Sequence, residues 1–367
     1  AVIVHDWKDL VPGILLGCGI ENFMTNKLHW QARNRFPMAL FWWEGIDGTR
    51  VLAHIPKLPG GYNGTPDPEQ LNQGWDDYPQ KTAYPEVLFS YGFGDGGGGP
   101  TDTMIESARR AERYPGVTAC RQGLEEQYFD DVRAANPPLP TWVGELYLET
   151  HRGTYTTQGA LKRANRKNEL LLREAEVFSS LAAMQGKTVD TGPLHAAWQN
   201  LLLLQFHDIL PGSSIGEVYS EAEVDQVAIS RAAADVREAA LRSVAARAGR
   251  DQVVAFNSLG WPRADVVVAG LPGESPAGGA WEVVGPDGQA SPAQRVSEAQ
   301  VAFTTEGLPA FGYAAYTVRP AAAPAENRLS VSAQRMENAF FVIELADDGT
   351  ITRLLDKRAQ REVIPEG

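Results

Sequence analysis

The sequence predicts a multidomain protein that runs from an α/β region through an all-α region to a β-rich region. Up to about residue 134, short apolar runs alternate with helical segments and glycine or proline turns, as in an α/β domain. Apolar residues then recur at helical spacing from about 159 to 249, and short alternating strands begin after Gly249. A chain of 367 residues is long enough for about two or three domains. We therefore expect domains at residues 1–134, 135–250 and 251–367.

The α/β region contains candidate strands and one clear candidate helix. Phe41–Glu44 and Val87–Tyr91 are apolar runs typical of buried strands, and Asp102–Arg113 has the pattern of a helix that follows the second strand. The proline-rich stretch Asn136–Pro140 is expected to be a linker.

The all-α region predicts three amphipathic helices that bury their apolar faces in one bundle. The first begins near residue 159, and its spacing places one apolar stripe on Leu161, Ala164, Leu171, Ala175, Phe178 and Ala182. The second is expected at His195–Ile209, ending before Pro211, and the third at about Val218–Ala248.

The β-rich region predicts short strands separated by turns. The clearest candidates are Val253–Phe256, Ala264–Val268, and a hairpin of Phe340–Leu345 with Thr350–Leu354 around Asp347–Gly349. Clusters of glycine, alanine and proline near 272–280 and 320–325 are expected to be loops.

Composition excludes several classes of partner. A formal net charge of −13 disfavours nucleic acid and anionic membrane surfaces. No apolar run reaches the ~18 residues that a membrane helix needs, and Ala1–Trp7 lacks the basic segment of a signal peptide. Cys18 and Cys120 are too few for a disulfide framework, so we expect reduced thiols and a cytoplasmic location.

One candidate site lies at the end of the second helix, where His207 and Asp208 are adjacent. An imidazole beside a carboxylate can ligate a metal ion, and the carboxylate can orient a substrate. The alternative is a core histidine that hydrogen-bonds to the helix terminus, which is the commoner role of a lone histidine.

A second candidate is Asp95, which lies in the glycine-rich loop from Gly92 to Thr101 after a predicted strand. Glycines let the backbone approach a substrate closely, and burial of the carboxyl group would raise its pKa toward general-acid chemistry. The loop lacks the Lys-Ser/Thr of a phosphate-binding loop. A flexible turn capped by Asp95 is an equally good interpretation on local grounds.

Two weaker candidates involve aromatic and paired polar residues. Glu149 and His151 would project from one face of a strand, as metal ligands or substrate contacts, although a polar cross-strand pair is the simpler interpretation. Trp42 and Trp43 could stack on sugar faces, but tryptophans within a strand belong more often to the core.

Together, these segments resemble glycoside hydrolase family 38 in their order along essentially the whole chain. The matching runs are Gly19-Ile20, Thr25–Leu28, Phe41–Arg50, Tyr62–Gly64, Gly92–Thr101, Gly144–Glu149, His151–Tyr155, Gln205–Asp208 and Asn257–Arg263. An ordered set of this kind is far more specific than any one motif, and its variant resembles the broad-specificity cytosolic and vacuolar branch.

The resemblance implies a partial (β/α) barrel-like catalytic domain, a three-helix bundle, and the start of a β-sandwich region. It also implies a retaining α-mannosidase that uses Zn²⁺ and acts on α-mannoside oligosaccharides. Two carboxylates ~5–5.5 Å apart are what retention requires.

The resemblance assigns roles to single residues of this chain. Asp95 matches the acid/base of the family, His207 matches a zinc ligand, and Asp208 matches its sugar-binding neighbour. Tyr62 and Asn63 match a substrate-lining pair, with Asn63 in place of an aspartate found in some members.

The chain also departs from the family pattern. No His-x-Asp sequence occurs in it, and the expected nucleophile motif is replaced by Val2–Trp7, in which His5 and Asp6 do not correspond by position. The resemblance therefore implies an incomplete zinc site, a nucleophile missing from this chain, and an inactive fragment that self-associates through exposed edges. The rival hypothesis is a non-catalytic carbohydrate-binding or structural protein on the same fold.

Overall fold

A computed structural model describes residues 10–56, 61–94, 96–246, 248–249, 251–271, 279–322 and 329–364. Asp95, His5 and Asp6 lie outside the described residues. The chain divides into two compact units, the first made of residues 1–162 and 205–219, the second of residues 163–204 and 220–367.

The first unit contains a mixed four-stranded sheet of β1 (Asn22–Met24), β2 (Leu40–Glu44), β3 (Arg50–His54) and β4 (Thr141–Val143). The strand order is β1-β3-β2-β4, with β1 parallel to β3, β2 antiparallel to β3, and β4 parallel to β2. The expected strand at Phe41–Glu44 is confirmed as β2.

Alternation of side chains along β2 and β3 buries both faces of this sheet. Phe41, Trp43, Val51 and Ala53 belong to one apolar cluster, whereas Leu40 and Leu52 belong to another on the opposite face. Residues two apart in a strand share a face, so an uninterrupted apolar run is what a doubly covered sheet requires. Trp43 is fully buried, which confirms its interpretation as a core residue, whereas Trp42 is partly buried and packs against the second cluster.

The helices of the first unit begin at side-chain caps where the sequence offers them. They are α1 (Val11–Gly17), α2 (Pro68–Asp76), α3 (Asp102–Ala111) and α4 (Glu125–Ala135). Asp67 accepts a hydrogen bond from the N–H of Gln70 at the start of α2, and Thr101 accepts one from Met104 at the start of α3. The helix expected at Asp102–Arg113 is confirmed as α3. After α4, Asn136 adopts a left-handed conformation, and the prolines that follow connect α4 to β4 within the first unit rather than linking two domains.

The strand expected at Val87–Tyr91 is not formed. These residues are half-buried, and the described part of the chain gives them only an isolated bridge between Tyr91 and Gly64. The N–H of Leu88 donates to His54 Nε2 at 3.3 Å instead of to a neighbouring strand. An apolar run predicts burial, but a strand also requires a partner along its length.

His54 connects three segments in the core of the first unit. Its Nδ1 lies 2.9 Å from the carbonyl oxygen of Ala39, so the proton sits on Nδ1, and its Nε2 accepts the N–H of Leu88. The imidazole is fully buried and packs 5.0 Å from the Tyr128 ring. Burial lowers the pKa of His54 to about 4, so this imidazole is neutral in the folded chain.

The second unit contains three helices and two antiparallel sheets. The helices are α5 (Gly159–Met184), α6 (Gly192–Leu204) and α7 (Gly216–Ala245), where α5 and α7 begin in the first unit. The three expected helices are confirmed, but α6 ends at Leu204 rather than at Ile209. Asn168 on α5 donates to the carbonyl and side-chain oxygens of Gln226 on α7, and Trp198 on α6 donates to Glu176 on α5.

The six-stranded sheet nearly closes on itself. Its strands are β5 (Gln252–Asn257), β6 (Arg263–Gly270), β7 (Trp281–Val284), β8 (Ala290–Ser297), β9 (Gln300–Leu308) and β10 (Gly312–Pro320), in the order β5-β10-β7-β8-β9-β6. The Asn257 side chain on β5 donates to the carbonyl oxygens of Trp261 and Pro309, which brings the two edges together. The strands expected at Val253–Phe256 and Ala264–Val268 are confirmed as β5 and β6.

The five-stranded sheet is a meander. It consists of β11 (Ser330–Val331), β12 (Arg335–Glu337), β13 (Phe341–Leu345), β14 (Ile351–Asp356) and β15 (Arg361–Glu362). The expected hairpin is confirmed as β13 and β14, and Gly349 adopts a positive φ of 83° in its turn. The loops expected at 272–280 and 320–325 lie partly outside the described residues. No helix in the described ranges has the length and apolar character needed to cross a membrane.

The buried neutral state of His54 predicts a specific loss of stability at low pH. The folded chain binds fewer protons at His54 than the unfolded chain, whose histidine pKa is about 6.5, so stability falls as the pH drops from about 6.5 toward 4. We expect this group alone to reduce the free energy of unfolding by about 2 kcal/mol between pH 7 and pH 5. Urea unfolding at several pH values measures the loss. His54→Gln should lack this component and the exposed-residue control His195→Gln should retain it; equal pH dependence in His54→Gln and wild type would contradict the assignment.

Candidate functional site

A turn with exposed aromatic and cationic groups follows the carboxyl end of β1. The ammonium nitrogen of Lys27 lies 3.8 Å from the ring centre of Trp30 and 4.9 Å from that of Tyr62. Because β1 and β3 are parallel, this turn and the segment after β3 leave the sheet at the same edge. Ligand sites in α/β sheets lie at the carboxyl ends of parallel strands, and aromatic faces suit the apolar faces of sugars.

The Tyr62–Gly64 segment runs alongside the start of the glycine-rich loop. Asn63 Oδ1 accepts the N–H of Gly94 at 2.6 Å, and the carbonyl oxygen of Gly64 accepts the N–H of Gly92 at 3.0 Å. Asp95 is the next residue after Gly94. The expected substrate-lining pair therefore contacts the backbone that leads into the expected acid/base.

Two glycines of this contact lie close against neighbouring atoms. A Cβ added at Gly94 would lie 2.6 Å from Asn63 Oδ1 and 2.8 Å from the Tyr62 ring. A Cβ added at Gly64 would lie 2.5 Å from the carbonyl oxygen of Ser90. Close backbone approach explains these glycines better than flexibility does.

Glu149 and His151 lie on a 3₁₀ helix, Glu149–Tyr155, so the expected placement on a strand is wrong. The Glu149 carboxylate accepts the N–H groups of Arg33 and Asn34, which lowers its pKa below the usual range. These long-range hydrogen bonds hold the Glu149 side chain, while the helical turn itself is closed by backbone bonds such as that from His151 to the carbonyl oxygen of Leu148. The His151 ring lies 6.0 Å from that of Trp30 and therefore borders the turn after β1.

His207 and Asp208 lie in the turn between α6 and α7. His207 Nε2 is 3.6 Å from Asp208 Oδ2, and the His207 ring is 4.5 Å from that of Phe206. The His207 side chain is 41% exposed, which excludes the alternative of a buried core histidine. Both side chains are accessible to a ligand.

The described residues do not form a complete zinc site. They contain no group of three or more His, Cys, Asp or Glu side chains placed to hold a metal ion. A protein zinc site uses three or four side-chain ligands, whereas His207 and Asp208 supply a pair.

A cavity of about 840 Å³ lies elsewhere in the first unit, between α2 and the extended segments near 85–91 and 118–124. Tyr62, Asn63, His207 and Asp208 are not among its lining residues. This cavity is therefore separate from the candidate site, which is defined by its aromatic, amide, imidazole and carboxylate groups.

The structure thus brings Tyr62 and Asn63 to Gly94, and His207 to Asp208, while Asp95 lies outside the described residues. Lys27 and Trp30 were not singled out from the sequence as site residues. The sequence signal that could have found them is their spacing of three residues, because residues three apart in a short helical turn lie on one face.

Comparison with known proteins identifies the family. Residues 7–145 match "Glycosyl hydrolases family 38 N-terminal domain" and residues 149–244 match "Alpha mannosidase middle domain". The chain belongs to glycoside hydrolase family 38.

The relatives are named α-mannosidases. Human "Alpha-mannosidase 2C1" is 37% identical over 72% of this chain and 26% of its own length. "Alpha-mannosidase G" of Dictyostelium discoideum is 39% identical over 58% of this chain and 19% of its own length. The chain therefore spans about a quarter or less of these curated relatives. An α-mannosidase structure from Enterococcus faecalis matches with a TM-score of 0.65 at 16% identity, covering 98% of this chain and 47% of that one, and this likeness supports the fold.

The close approach at Gly94 predicts the effect of adding one methyl group. We expect Gly94→Ala to displace Asn63 and Tyr62 and to reduce the free energy of unfolding by about 1–3 kcal/mol, the usual cost of overpacking. Urea unfolding measures this change. Gly153→Ala is the matched control, because a Cβ there meets no atom within 4 Å; equal stability of the two variants would contradict the contact.

Proposed function

We propose that this chain is part of a retaining α-mannosidase that hydrolyses terminal α-mannosides with zinc assistance. The observation that supports this most directly is the hydrogen bond from Gly94 to Asn63, which joins the expected substrate-lining pair to the loop that carries Asp95. Family membership and the names of the relatives supply the substrate class.

Asp95 would act as the acid/base of the reaction. In a retaining mechanism the acid protonates the leaving glycosidic oxygen while a second carboxylate attacks the anomeric carbon, and the same acid then deprotonates the incoming water. The second carboxylate, the nucleophile, has no counterpart in this chain. We therefore infer that this chain alone does not hydrolyse α-mannosides.

Tyr62, Asn63 and Asp208 would bind the sugar. The Tyr62 ring is 37% exposed and offers a face to sugar C–H groups. The side-chain oxygen of Asn63 accepts the N–H of Gly94, so its amide nitrogen is the group available to a sugar hydroxyl. Asp208 is accessible and can accept hydrogen bonds from hydroxyl groups.

The proposal of zinc as a cofactor rests on one candidate ligand, His207. Its exposed imidazole could supply one ligand, while the described residues contain no cluster of three or more His, Cys, Asp or Glu side chains that could hold the ion. When bound, zinc would polarise and orient sugar oxygens. The proposed cytoplasmic location has its support in the free thiols of Cys18 and Cys120.

The alternative, a non-catalytic carbohydrate-binding protein, makes use of the same exposed aromatic groups. It gives no role to the Asp95 loop, whereas the close contact of Asn63 with Gly94 fixes the backbone next to Asp95. The assay of Asp95 variants separates the two hypotheses.

The acid/base role predicts a dependence on the leaving group. In a longer protein that supplies the nucleophile, we expect Asp95→Asn to slow hydrolysis of α-mannosides with poor leaving groups by about 10²–10⁴-fold. Activated aryl α-mannosides should be affected less, because they need little protonation. Asp102→Asn, an exposed aspartate on α3, is the control. Equal rates for wild type and Asp95→Asn with a poor leaving group would refute the role.

The ligand role of His207 predicts a loss of metal. In the same longer protein, we expect His207→Ala to lower the zinc affinity by about 10-fold or more, since one of few ligands is removed. Zinc content after dialysis at limiting metal measures the effect. His195→Ala, an exposed histidine on α6, should retain the wild-type content. Wild-type zinc content in His207→Ala would overturn the assignment.

A further inference from the structure

The turn that carries His207 and Asp208 is anchored by side chains outside it. It joins α6 to α7, and its own backbone makes short hydrogen bonds from Ile209 and Leu210 to the carbonyl oxygen of Phe206. Bonds of this kind close one turn but do not fix it to the rest of the unit.

Lys162 supplies an anchor. It lies in the first turn of α5, and its ammonium group donates to the carbonyl oxygen of Leu210 at 2.9 Å and to that of Thr157 at 2.7 Å. One cation therefore links the turn to the segment that follows the 3₁₀ helix of His151. One ammonium group thus gives both carbonyl oxygens a charge-assisted hydrogen bond.

The location of Lys162 is unfavourable for the helix itself. The first turn of α5 contains no acidic residue, and a cation there opposes the helix dipole. Partial burial also lowers the pKa of Lys162. The ammonium group is therefore not a device that stabilises α5, and its favourable contacts are those with the two carbonyl groups.

Packing and a second polar contact hold the same turn. Gly212 has a φ of 92°, and a Cβ added there would lie 2.3 Å from Cγ2 of Thr157. The Tyr219 hydroxyl accepts the N–H of Ser214 at 2.7 Å and lies 3.4 Å from the carbonyl oxygen of Ile209. Lys162 therefore acts together with Tyr219 and with the packing at Gly212, and it is the charged group among these supports.

We propose that Lys162 is a positioning residue that holds the His207–Asp208 turn in one orientation for its ligands. The assignment of those ligands rests on the proposed function, but the positioning itself does not. Without the two hydrogen bonds, the contacts at Gly212 and Tyr219 would hold the turn less tightly, and the Phe206 and His207 rings would sample several relative geometries.

The Phe206 ring provides a spectroscopic reporter of this order. It lies 4.5 Å from the His207 ring, so its ring current shifts the imidazole protons of His207 only while the two rings keep a fixed geometry. The signal reports the turn without added sugar or metal ion. A failure of the α-mannosidase proposal is therefore distinguishable from a failure of this one.

The test compares Lys162→Met and Lys162→Arg in the full chain by NMR of the histidine rings and by hydrogen exchange. Lys162→Met keeps the aliphatic stem and removes the donors, whereas Lys162→Arg keeps donors. Lys167→Met, an exposed lysine on the same helix, is the control, and Phe206→Leu identifies the ring-current shift.

We expect Lys162→Met to lose most of the His207 ring-current shift and to exchange the Gly212 amide about 10-fold faster, at an unchanged melting temperature. Lys162→Arg and Lys167→Met should match wild type. A wild-type shift and exchange rate in Lys162→Met would overturn the proposal, as would an equal loss in Lys167→Met. If Lys162→Met does not fold, Lys162→Gln replaces it, because its amide is too short to bridge both carbonyl oxygens. The same loss of the His207 shift is then expected, and a wild-type shift would overturn the proposal.

Discussion

The buried imidazole of His54 is the interaction on which the first unit depends. It joins the end of β3 to Ala39 on one side and to Leu88 on the other. The chain that leaves β3 leads to Tyr62 and Asn63, while the chain after Leu88 leads to Gly94. These two segments meet again at the hydrogen bond between Asn63 and Gly94. The buried, neutral His54 side chain, with one hydrogen bond at each ring nitrogen, thus sets the separation of the segments that form the candidate site.

The site residues share one kind of support, which is a polar side chain bonded to the backbone of a neighbouring segment. Asn63 binds the N–H of Gly94, Glu149 binds the N–H groups of residues 33 and 34, and Lys162 binds the carbonyl of Leu210. Loops cannot satisfy their backbone groups within a ladder, so such bonds replace the missing regular pairing. The loops are therefore ordered by specific residues rather than by apolar burial.

Sequence patterns predicted the elements whose cause is local. The helix α5, the helix that begins at Asp102 and the turn at Gly349 each depend on nearby residues, and each was confirmed. Within the stripe expected on α5, Ala175, Phe178 and Ala182 are buried, whereas Leu161, Ala164 and Leu171 are half-buried. The strand at Val87–Tyr91 failed, because pairing depends on a partner that no local pattern specifies. Glu149 failed for a related reason: its carboxylate is bonded to residues more than 100 positions away, and its segment is a 3₁₀ helix rather than a strand. Lys27 and Trp30 gain their place beside Tyr62 only from the parallel pairing of β1 with β3.

The same reasoning explains why a resemblance located the residues but not their supports. The motifs of the resemblance supply the side chains proposed to contact a ligand, here His207 and Asp208, and these two lie on an exposed turn. The groups that hold the turn, Lys162, Thr157 and Tyr219, come from separate segments and have no shared spacing in the sequence. A precise site requires both the side chains that contact the ligand and the side chains that anchor them. A catalytic side chain on an unanchored loop samples unproductive geometries. For Asp95, proposed as the acid/base, the hydrogen bond between Asn63 and the preceding Gly94 would meet the same need by the same means.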